Sequence, residues 1–149
     1  MNWIPITLAD LQDQKLAPLV EAFRTKGLAA GQTDPLPRLT QAVVDRIRRK
    51  IASNLKNRVD ADPTTIPKSL KLTAVELIYA ELKGHLEEPL TADEVRKLGT
   101  IEADLKAIAA GEPIEQPDNA IDAPVQATAG SPSVSENRRE NLNARRSGL

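Results

Sequence analysis

The apolar residues of the first 111 positions recur at intervals of three and four, the spacing that places side chains on one face of an α-helix. The clearest stripe has a four-residue interval and predicts a helix of about twenty residues that begins near Leu36. Its members are Leu39, Val43, Ile47, Ile51 and Leu55. Asp34 is suited to cap this helix, and Pro35 is suited to its first position.

Two further stripes predict long helices in the second half of this region. The first of them contains Leu70, Val75, Ile78 and Leu82. Because Leu72 and Leu77 widen this stripe, we expect its helix to be buried on more than one side. The last helix follows Thr91 and Glu94, which have the spacing of a capping box. Its stripe consists of Val95, Leu98, Ile101, Leu105 and Ile108.

Shorter helices are predicted near the N-terminus. Thr7 is placed to cap a first short helix, and residues 15–26 form a second, with Pro18 in its first turn and Gly27 as its stop. No segment alternates between apolar and polar residues as a half-buried strand does, so we expect no sheet. The pattern therefore predicts an all-α fold, a compact antiparallel helical bundle of three long helices with one or two short N-terminal helices.

The helical pattern stops at Gly111. Residues 112–149 are rich in Pro, Ser, Ala, Asn and Arg and have no apolar periodicity. By itself such a segment cannot bury enough apolar surface to offset the entropy lost when it becomes ordered. We therefore predict a helical bundle domain over residues 1–111 and an extended C-terminal docking tail over residues 112–149. This division favours an interaction protein.

Composition narrows the possible functions. The chain has no cysteine, which excludes a disulfide framework and a zinc–thiolate site. Aromatic residues make up 2% of the chain, which disfavours stacking platforms for single-stranded nucleic acid. A formal net charge of −1 disfavours wholesale electrostatic capture of DNA or RNA. With no signal-peptide pattern and no apolar run long enough to span a bilayer, we expect a soluble protein with no membrane association.

Catalytic chemistry has little support in the sequence. His85 is the single histidine, and Glu87 and Glu88 lie close to it, but a metal site or a catalytic triad needs further partners. A histidine near a helix C-terminus also interacts favourably with the helix dipole. Neither a Gly-rich phosphate loop nor a nucleophile elbow is present. We predict that the chain is not an enzyme and has no catalytic, cofactor-binding or metal-binding residue; an enzyme centred on His85 is the alternative that His85→Ala tests.

Two groups of basic residues are candidate interaction sites. The first lies on the predicted long helix and consists of Arg46, Arg48, Arg49 and Lys50. At about 100° per residue these side chains fan over the surface opposite the apolar stripe, which favours solvent or subunit–subunit salt bridges over a DNA-facing site. The second group consists of two arginine pairs, seven residues apart, around a leucine: Arg138, Arg139, Leu142, Arg145 and Arg146. If the tail becomes helical on a partner, both pairs share a face and contact acidic groups; the alternative is a generic solubilising tail.

Two segments at opposite ends of the body resemble one protein family. The sequence TLADL at residues 7–11 and the sequence LKAIAAGE at residues 105–112 are similar to the beginning and end of small tailed-phage head-completion proteins. These are the adaptor, or head-to-tail connector, proteins that include the Mu-type structural family of similar length. Residues 72–82 resemble the central buried helix of that family and residues 98–105 its closing helix. The resemblance covers residues 6–113.

The resemblance implies an α-helical subunit of a homo-oligomeric, twelve-subunit ring in the neck of a virion, assembled in the host cytoplasm. The ring would lie beneath the portal protein, contact further neck or tail-completion proteins, and surround the channel in which non-specific contact with DNA is possible. No catalytic residue is carried over. We expect the tail to run onto the portal or an adjacent subunit. The alternative function is a small helical nucleic-acid-binding or regulatory protein that uses the helix of residues 46–50.

Overall fold

The computed structural model describes residues 1–121, which are mostly helical as predicted. The described region contains four α-helices, two short 3-10 helices and a sheet of two strands. In chain order the elements are strand β1 (Trp3–Pro5), a first 3-10 helix (Leu8–Leu11), α1 (Ala17–Ala29), α2 (Leu36–Ala52), β2 (Thr65–Pro67), a second 3-10 helix (Lys68–Leu70), α3 (Lys71–His85) and α4 (Ala92–Ala110).

Helix α2 is central to the packing, because it contacts α1, α3, α4 and β2. Its predicted stripe is confirmed as far as Ile51, and Ile47 and Ile51 are fully buried. Side chains of several elements complete the core around them, among them Leu11, Ile66, Ile78, Leu82 and Leu105. Burial of each large aliphatic side chain contributes roughly 1.5–3 kcal/mol, so this apolar cluster is the main source of stability.

Polar contacts define how the last three helices run relative to one another. Arg46 pairs with Glu102, and Asn54 donates to the carbonyl of Ala109, so contacts between α2 and α4 advance in the same direction along both helices. Lys97 pairs with Glu76 across α3 and α4, whereas Glu94, one turn earlier in α4, reaches later residues of α3. Helices α3 and α4 therefore run in opposite directions.

The expectation of no sheet is wrong. Strands β1 and β2 pair in antiparallel fashion, with Trp3 opposite Pro67 and Pro5 opposite Thr65. Each strand has three residues and contains a proline, so neither is long enough to show an alternating pattern. The sheet exists because a long-range pairing places Trp3 and Ile66 in the core.

Helix ends follow the sequence in most places. Thr91 and Glu94 form the predicted capping box, and Gly111 ends α4 with a φ of 121°, which glycine adopts without strain. The prediction that Gly27 stops its helix is wrong, because α1 continues to Ala29. A Cβ atom at residue 27 would lie 2.8 Å from the ring of Pro35, so this glycine permits close packing rather than a turn.

Three residues assigned to apolar stripes are exposed. Leu55 lies beyond the end of α2 and is 93% exposed, and Leu72 in the first turn of α3 is 78% exposed. Val95 in the first turn of α4 is also exposed. All three residues lie at the ends of helices or just beyond them. An apolar stripe predicts which face of a helix is buried, but it does not predict how far along the helix the burial continues.

The first ten residues of the predicted tail pack against the helical body. The carbonyl of Glu115 accepts a hydrogen bond from the Trp3 indole, Pro117 is buried, and Ala120 forms a β-bridge with Asp60. Ile121 donates its backbone N–H to Val59. The packed body therefore includes residues 112–121, which the helical periodicity alone placed in the tail. Across the described part of the chain, no helix is long and apolar enough to cross a membrane.

Candidate interaction surfaces

Arg48 binds its own chain. Its guanidinium donates to the carbonyls of Asp60 at 2.7 Å, Asp62 at 3.0 Å and Thr65 at 2.7 Å. These bonds fix the loop that follows α2 against the side of that helix. Burial lowers the pKa of Arg48, while the nearby carboxylates of Asp60, Asp45 and Asp62 act in the opposite direction. An arginine remains charged under such conditions, so the three carbonyls are compensated by a full positive charge.

Trp3 completes this arrangement. The Arg48 guanidinium lies 5.5 Å from the centroid of the Trp3 ring, within the range of a cation–π contact. The indole N–H donates to the carbonyl of Glu115 at 2.9 Å. We refer to Trp3, Arg48, residues 60–65 and Glu115 as the arginine junction. It joins the N-terminal strand, α2, the following loop and the segment after α4.

The other three members of the basic group have different environments. Arg46 pairs with Glu102 of α4, so its charge is also used within the chain. Arg49 is exposed, and its Nε donates to the carbonyl of Asp45 at 3.4 Å. Neither Arg49 nor Lys50 forms an ion pair with any residue in the range 1–121. Of the four candidates, these two are the ones whose charge remains available to a partner.

A turn after α2 presents a single leucine to solvent. Asn54 donates to the last turn of α4 at Ala109, and Asn57 donates to Ile51 of α2 and Ile108 of α4. These bonds satisfy carbonyls that a helix end leaves without partners, and they hold the turn in one conformation. We call residues 53–58 the Leu55 turn. The exposed Lys56 and Arg58 follow Leu55 in the chain, and neither forms an ion pair with the described residues.

A second polar cluster surrounds the start of α4. Glu94 accepts from the Thr91 backbone N–H at 2.9 Å, the Tyr79 hydroxyl at 2.7 Å and the Lys83 ammonium at 3.0 Å. These contacts, in that order, lower the pKa of Glu94 to about 2. The bond to Glu94 in turn raises the pKa of Lys83. Lys15 lies 4.3 Å above the Tyr79 ring and 3.7 Å from Glu94. We call these five residues the α4 cap cluster.

An apolar groove runs between the first 3-10 helix, α1 and the beginning of α2. It consists of two depressions of about 550 and 310 Å³ that share Leu8, Leu11 and Arg24. Leu8 is 46% exposed and Leu28, at the far end of α1, is 56% exposed. The charged residues that line the groove are Glu21, Arg24 and Asp34, and Arg24 pairs with Asp34 at 2.9 Å. We call this feature the N-terminal groove.

His85 lies exposed at the end of α3. Its ring packs against Phe23 with the centroids 5.2 Å apart, and its carbonyl accepts from Lys26. No group of three or more His, Asp or Glu side chains placed to hold a metal ion occurs among residues 1–121. The contacts of His85 are those of a residue that packs at a helix end.

Sequence reasoning missed most of these contacts because they join distant segments. Nothing in the sequence distinguishes Arg48 from its basic neighbours as the residue that binds three carbonyls. Leu55 has the spacing of a core residue, so its exposure could not be predicted. The Thr91 and Glu94 motif did signal the α4 cap cluster, although not the contribution of Tyr79 or Lys83.

The predicted tail site lies outside the described residues. This applies to Arg138, Arg139, Leu142, Arg145 and Arg146 alike. Comparison with known proteins identifies no relative, since no family model, curated protein or solved structure matches the chain. The connector resemblance therefore stays a prediction.

Proposed function

We propose that this protein is a structural subunit of a phage neck, a head-to-tail connector that docks beneath the portal protein. In this proposal the helical body is a compact bundle, copies of it form a ring of twelve around the DNA channel, and further neck or tail-completion proteins bind the opposite side. The protein acts in the virion neck after assembly in the host cytoplasm, with no enzymatic step and no cofactor. The resemblance of residues 6–113 to connector proteins is the starting point.

The observation that carries the proposal is the difference between the helical body and the polar sequence that follows it. The described residues 1–121 pack as one mostly helical body, to which Ile121 bonds through Val59, and the sequence that follows is polar and contains two arginine pairs. A ring subunit needs a rigid body for contacts with its neighbours and an arm for contacts with another layer. An arm of low hydrophobicity can cover a large surface and becomes ordered only when it docks.

The placement of charge supports the same proposal. Arg46 and Arg48 are engaged within the body, and the sequence places four further arginines in two pairs near the C-terminus. Arginine pairs suit bidentate bonds to carboxylates on a protein partner. We expect Arg138, Arg139, Arg145 and Arg146 to make such bonds on the portal or an adjacent subunit, with Leu142 packed between them.

The test is the mass of the full-length protein in solution, alone and mixed with the portal protein of the same virus. The matched variant is a chain that ends at Ile121, because an earlier cut would remove Glu115 and Pro117 from the body. We expect a complex with the portal that forms with the full chain and fails with the shortened one. If the shortened chain joins the portal equally well, the tail is not the docking element.

A second variant tests the electrostatic part. Arg145→Glu combined with Arg146→Glu should weaken portal binding. The affinity of the wild type for the portal should fall as the salt concentration rises. Arg49→Glu combined with Lys50→Glu provides a control with the same charge change on the body. Equal effects of the two pairs would show that net charge, rather than the tail, governs binding.

The alternative is a small nucleic-acid-binding or regulatory protein. One observation favours it: Arg49, Lys50, Lys56 and Arg58 surround the C-terminal end of α2 without ion pairs to the described residues. This function predicts that the chain ending at Ile121 binds duplex DNA with an affinity that falls steeply with salt. The connector proposal predicts little DNA binding by the isolated body.

A further inference from the structure

The two ends of α2 present surfaces of opposite character. At its C-terminal end, the Leu55 turn displays a leucine that is 93% exposed and is followed by the exposed Lys56 and Arg58. In its N-terminal half, Leu36, Pro37 and Val44 line part of the N-terminal groove. Val44 lies about 12 Å along the helix from the end of α2, and no residue of the Leu55 turn lines the groove of its own copy.

We propose that copies of this protein associate head to tail, with the Leu55 turn of one copy inserted into the N-terminal groove of the next. The occupant of the groove is thus a second copy of this chain. This inference rests on the proposed function, because the head-to-tail contact is the one that would join neighbouring subunits of the ring.

The apolar surfaces match in kind. Leu8 and Leu28 flank the groove and remain about half exposed, and Leu11 and Val20 form its buried floor. An exposed leucine that enters such a groove removes apolar surface from water on both sides of the contact. The Leu55 turn is already held by Asn54 and Asn57, so docking costs little additional ordering of the turn.

The charges match as well. In the groove the Arg24 charge is paired with Asp34, and Glu21 is the lining residue whose charge forms no ion pair within residues 1–121. The turn carries two cations, Lys56 and Arg58, beside the leucine. Opposite charges at the edge of an apolar contact favour one orientation and disfavour self-contact of two turns or of two grooves.

The symmetry of this contact has a consequence. Because the two surfaces differ, the interface is heterologous, and every copy retains one open turn and one open groove until the assembly closes. Such a contact produces a ring when the rotation between neighbours divides a full turn and an open fibre when it does not. A head-to-tail contact is therefore the kind that a connector ring requires.

The first experiment measures self-association of the full-length protein alone by sedimentation equilibrium over a wide concentration range. We expect the wild-type mass to rise with concentration, and Leu55→Asp and Leu28→Asp each to weaken association by about tenfold or more. Leu72→Asp is the matched control, since Leu72 is 78% exposed and lies outside the groove and the turn. A wild type that stays monomeric throughout, or equal effects of all three variants, overturns the proposal.

The second experiment identifies the contact directly. Since the chain has no cysteine, Leu55→Cys and Leu28→Cys each introduce a single thiol. A mixture of the two proteins treated with a short bis-maleimide should give covalent dimers several-fold in excess of either protein alone. A mixture of Leu72→Cys and Leu28→Cys should remain at the background level. Background cross-linking in the first mixture overturns the proposal even if the protein is oligomeric.

Other occupants of the groove give distinct results. If residues 122–149 of the same copy fill the N-terminal groove, cross-linking between copies fails in the full chain and appears in the chain that ends at Ile121. That result would overturn the proposal and assign the groove to those residues. Failure of this inference is separable from failure of the proposed function. A Leu55→Asp protein that no longer self-associates but still binds the portal supports both the inference and the proposed function. A wild type that self-associates through this contact but does not bind the portal rejects only the connector function.

Discussion

The arginine junction and the α4 cap cluster both hold charged side chains against backbone groups, but they connect the chain over different distances. In the cap cluster, Thr91 and Glu94 bond to each other across three residues, and Tyr79 and Lys83 come from the preceding helix. In the junction, Trp3, Arg48 and Glu115 meet from three distant parts of the chain. Apart from Lys15, the cap cluster therefore consists of residues from two neighbouring helices, whereas the junction joins distant parts of the body.

The two clusters also differ in how they respond to pH. Arg48 keeps its charge at any pH at which the protein is folded. Glu94 is a carboxylate whose charge is lost in acid, and its bonds from Thr91, Tyr79 and Lys83 favour the charged form. The Arg48 bonds thus keep their charge in acid, although Asp62 in the junction is a carboxylate whose pKa is lowered by its bonds from Thr64. The bonds to Glu94 lose their contribution as the pH falls toward the lowered pKa of that residue.

The largest predicted effect tests the range of the junction. A chain that ends at Gly111 loses the carbonyl that accepts from Trp3, the buried Pro117 and the bridge between Ala120 and Asp60. We expect it to lose about 3 kcal/mol or more of unfolding free energy, because a buried indole N–H is left without a partner and apolar surface is exposed. Urea unfolding followed by circular dichroism measures the change.

The matched control is the chain that ends at Ile121, which should unfold at the same urea concentration as the full protein. If the two shortened chains are equally stable, residues 112–121 contribute nothing to the body. The boundary would then lie at Gly111, as the helical periodicity suggests.

Arg48→Ala should have the next largest effect. The substitution removes three hydrogen bonds and leaves the carbonyls of Asp60, Asp62 and Thr65 to be satisfied by water, for an expected loss of about 2–3 kcal/mol. Arg49→Ala, one residue away on the exposed side of α2, should change stability by less than about 0.5 kcal/mol. Similar losses for both variants would mean that the junction is not a special site.

Helices and their caps could be predicted from the sequence because their determinants are local. The stripe through Val43, Ile47 and Ile51 repeats over several turns of one element, and the spacing of Thr91 and Glu94 defines a helix start without reference to any other segment. Both are confirmed. These signals survive in any environment that lets the helix form.

The sheet and the arginine junction could not be predicted in this way. β1 and β2 have three residues each and become strands only when they meet across more than sixty positions of chain. Arg48 is one of several basic residues of α2, and it differs from them because the loop after the helix places three carbonyls within reach of its guanidinium. Leu55 shows the reverse case, since the stripe of α2 continues to it in sequence while the helix ends three residues earlier.

The α4 cap cluster should show a smaller, local response. Thr91→Ala removes the side-chain oxygen that accepts from the Glu94 backbone N–H, and N-cap substitutions of this kind cost about 1 kcal/mol. Thr100→Ala is the matched control, because Thr100 is exposed within α4 and its hydroxyl bonds only to the preceding turn at Arg96. We expect that variant to be neutral or slightly more stable. Equal losses would assign the effect to α4 as a whole rather than to its cap.

The smallest effect distinguishes the two clusters by pH. Bonds from Thr91, Tyr79 and Lys83 lower the pKa of Glu94 to about 2 in the folded protein, whereas an unfolded chain has a glutamate pKa of about 4.3. As pH falls through this interval, the unfolded state binds the proton first, so folding loses stability between about pH 5 and pH 2. Above that interval the contribution of Glu94 is fully present.

Glu94→Gln removes this titration. The difference in unfolding free energy between the wild type and Glu94→Gln should therefore be greatest near neutral pH and shrink steadily as pH falls toward 2, as measured by urea unfolding at a series of pH values. Asp93→Asn, at an exposed carboxylate in the same turn, should keep the pH dependence of the wild type. A constant difference for Glu94→Gln across the series would mean that the Glu94 bonds contribute through shape rather than charge, and the contrast between the two clusters would then be one of distance alone.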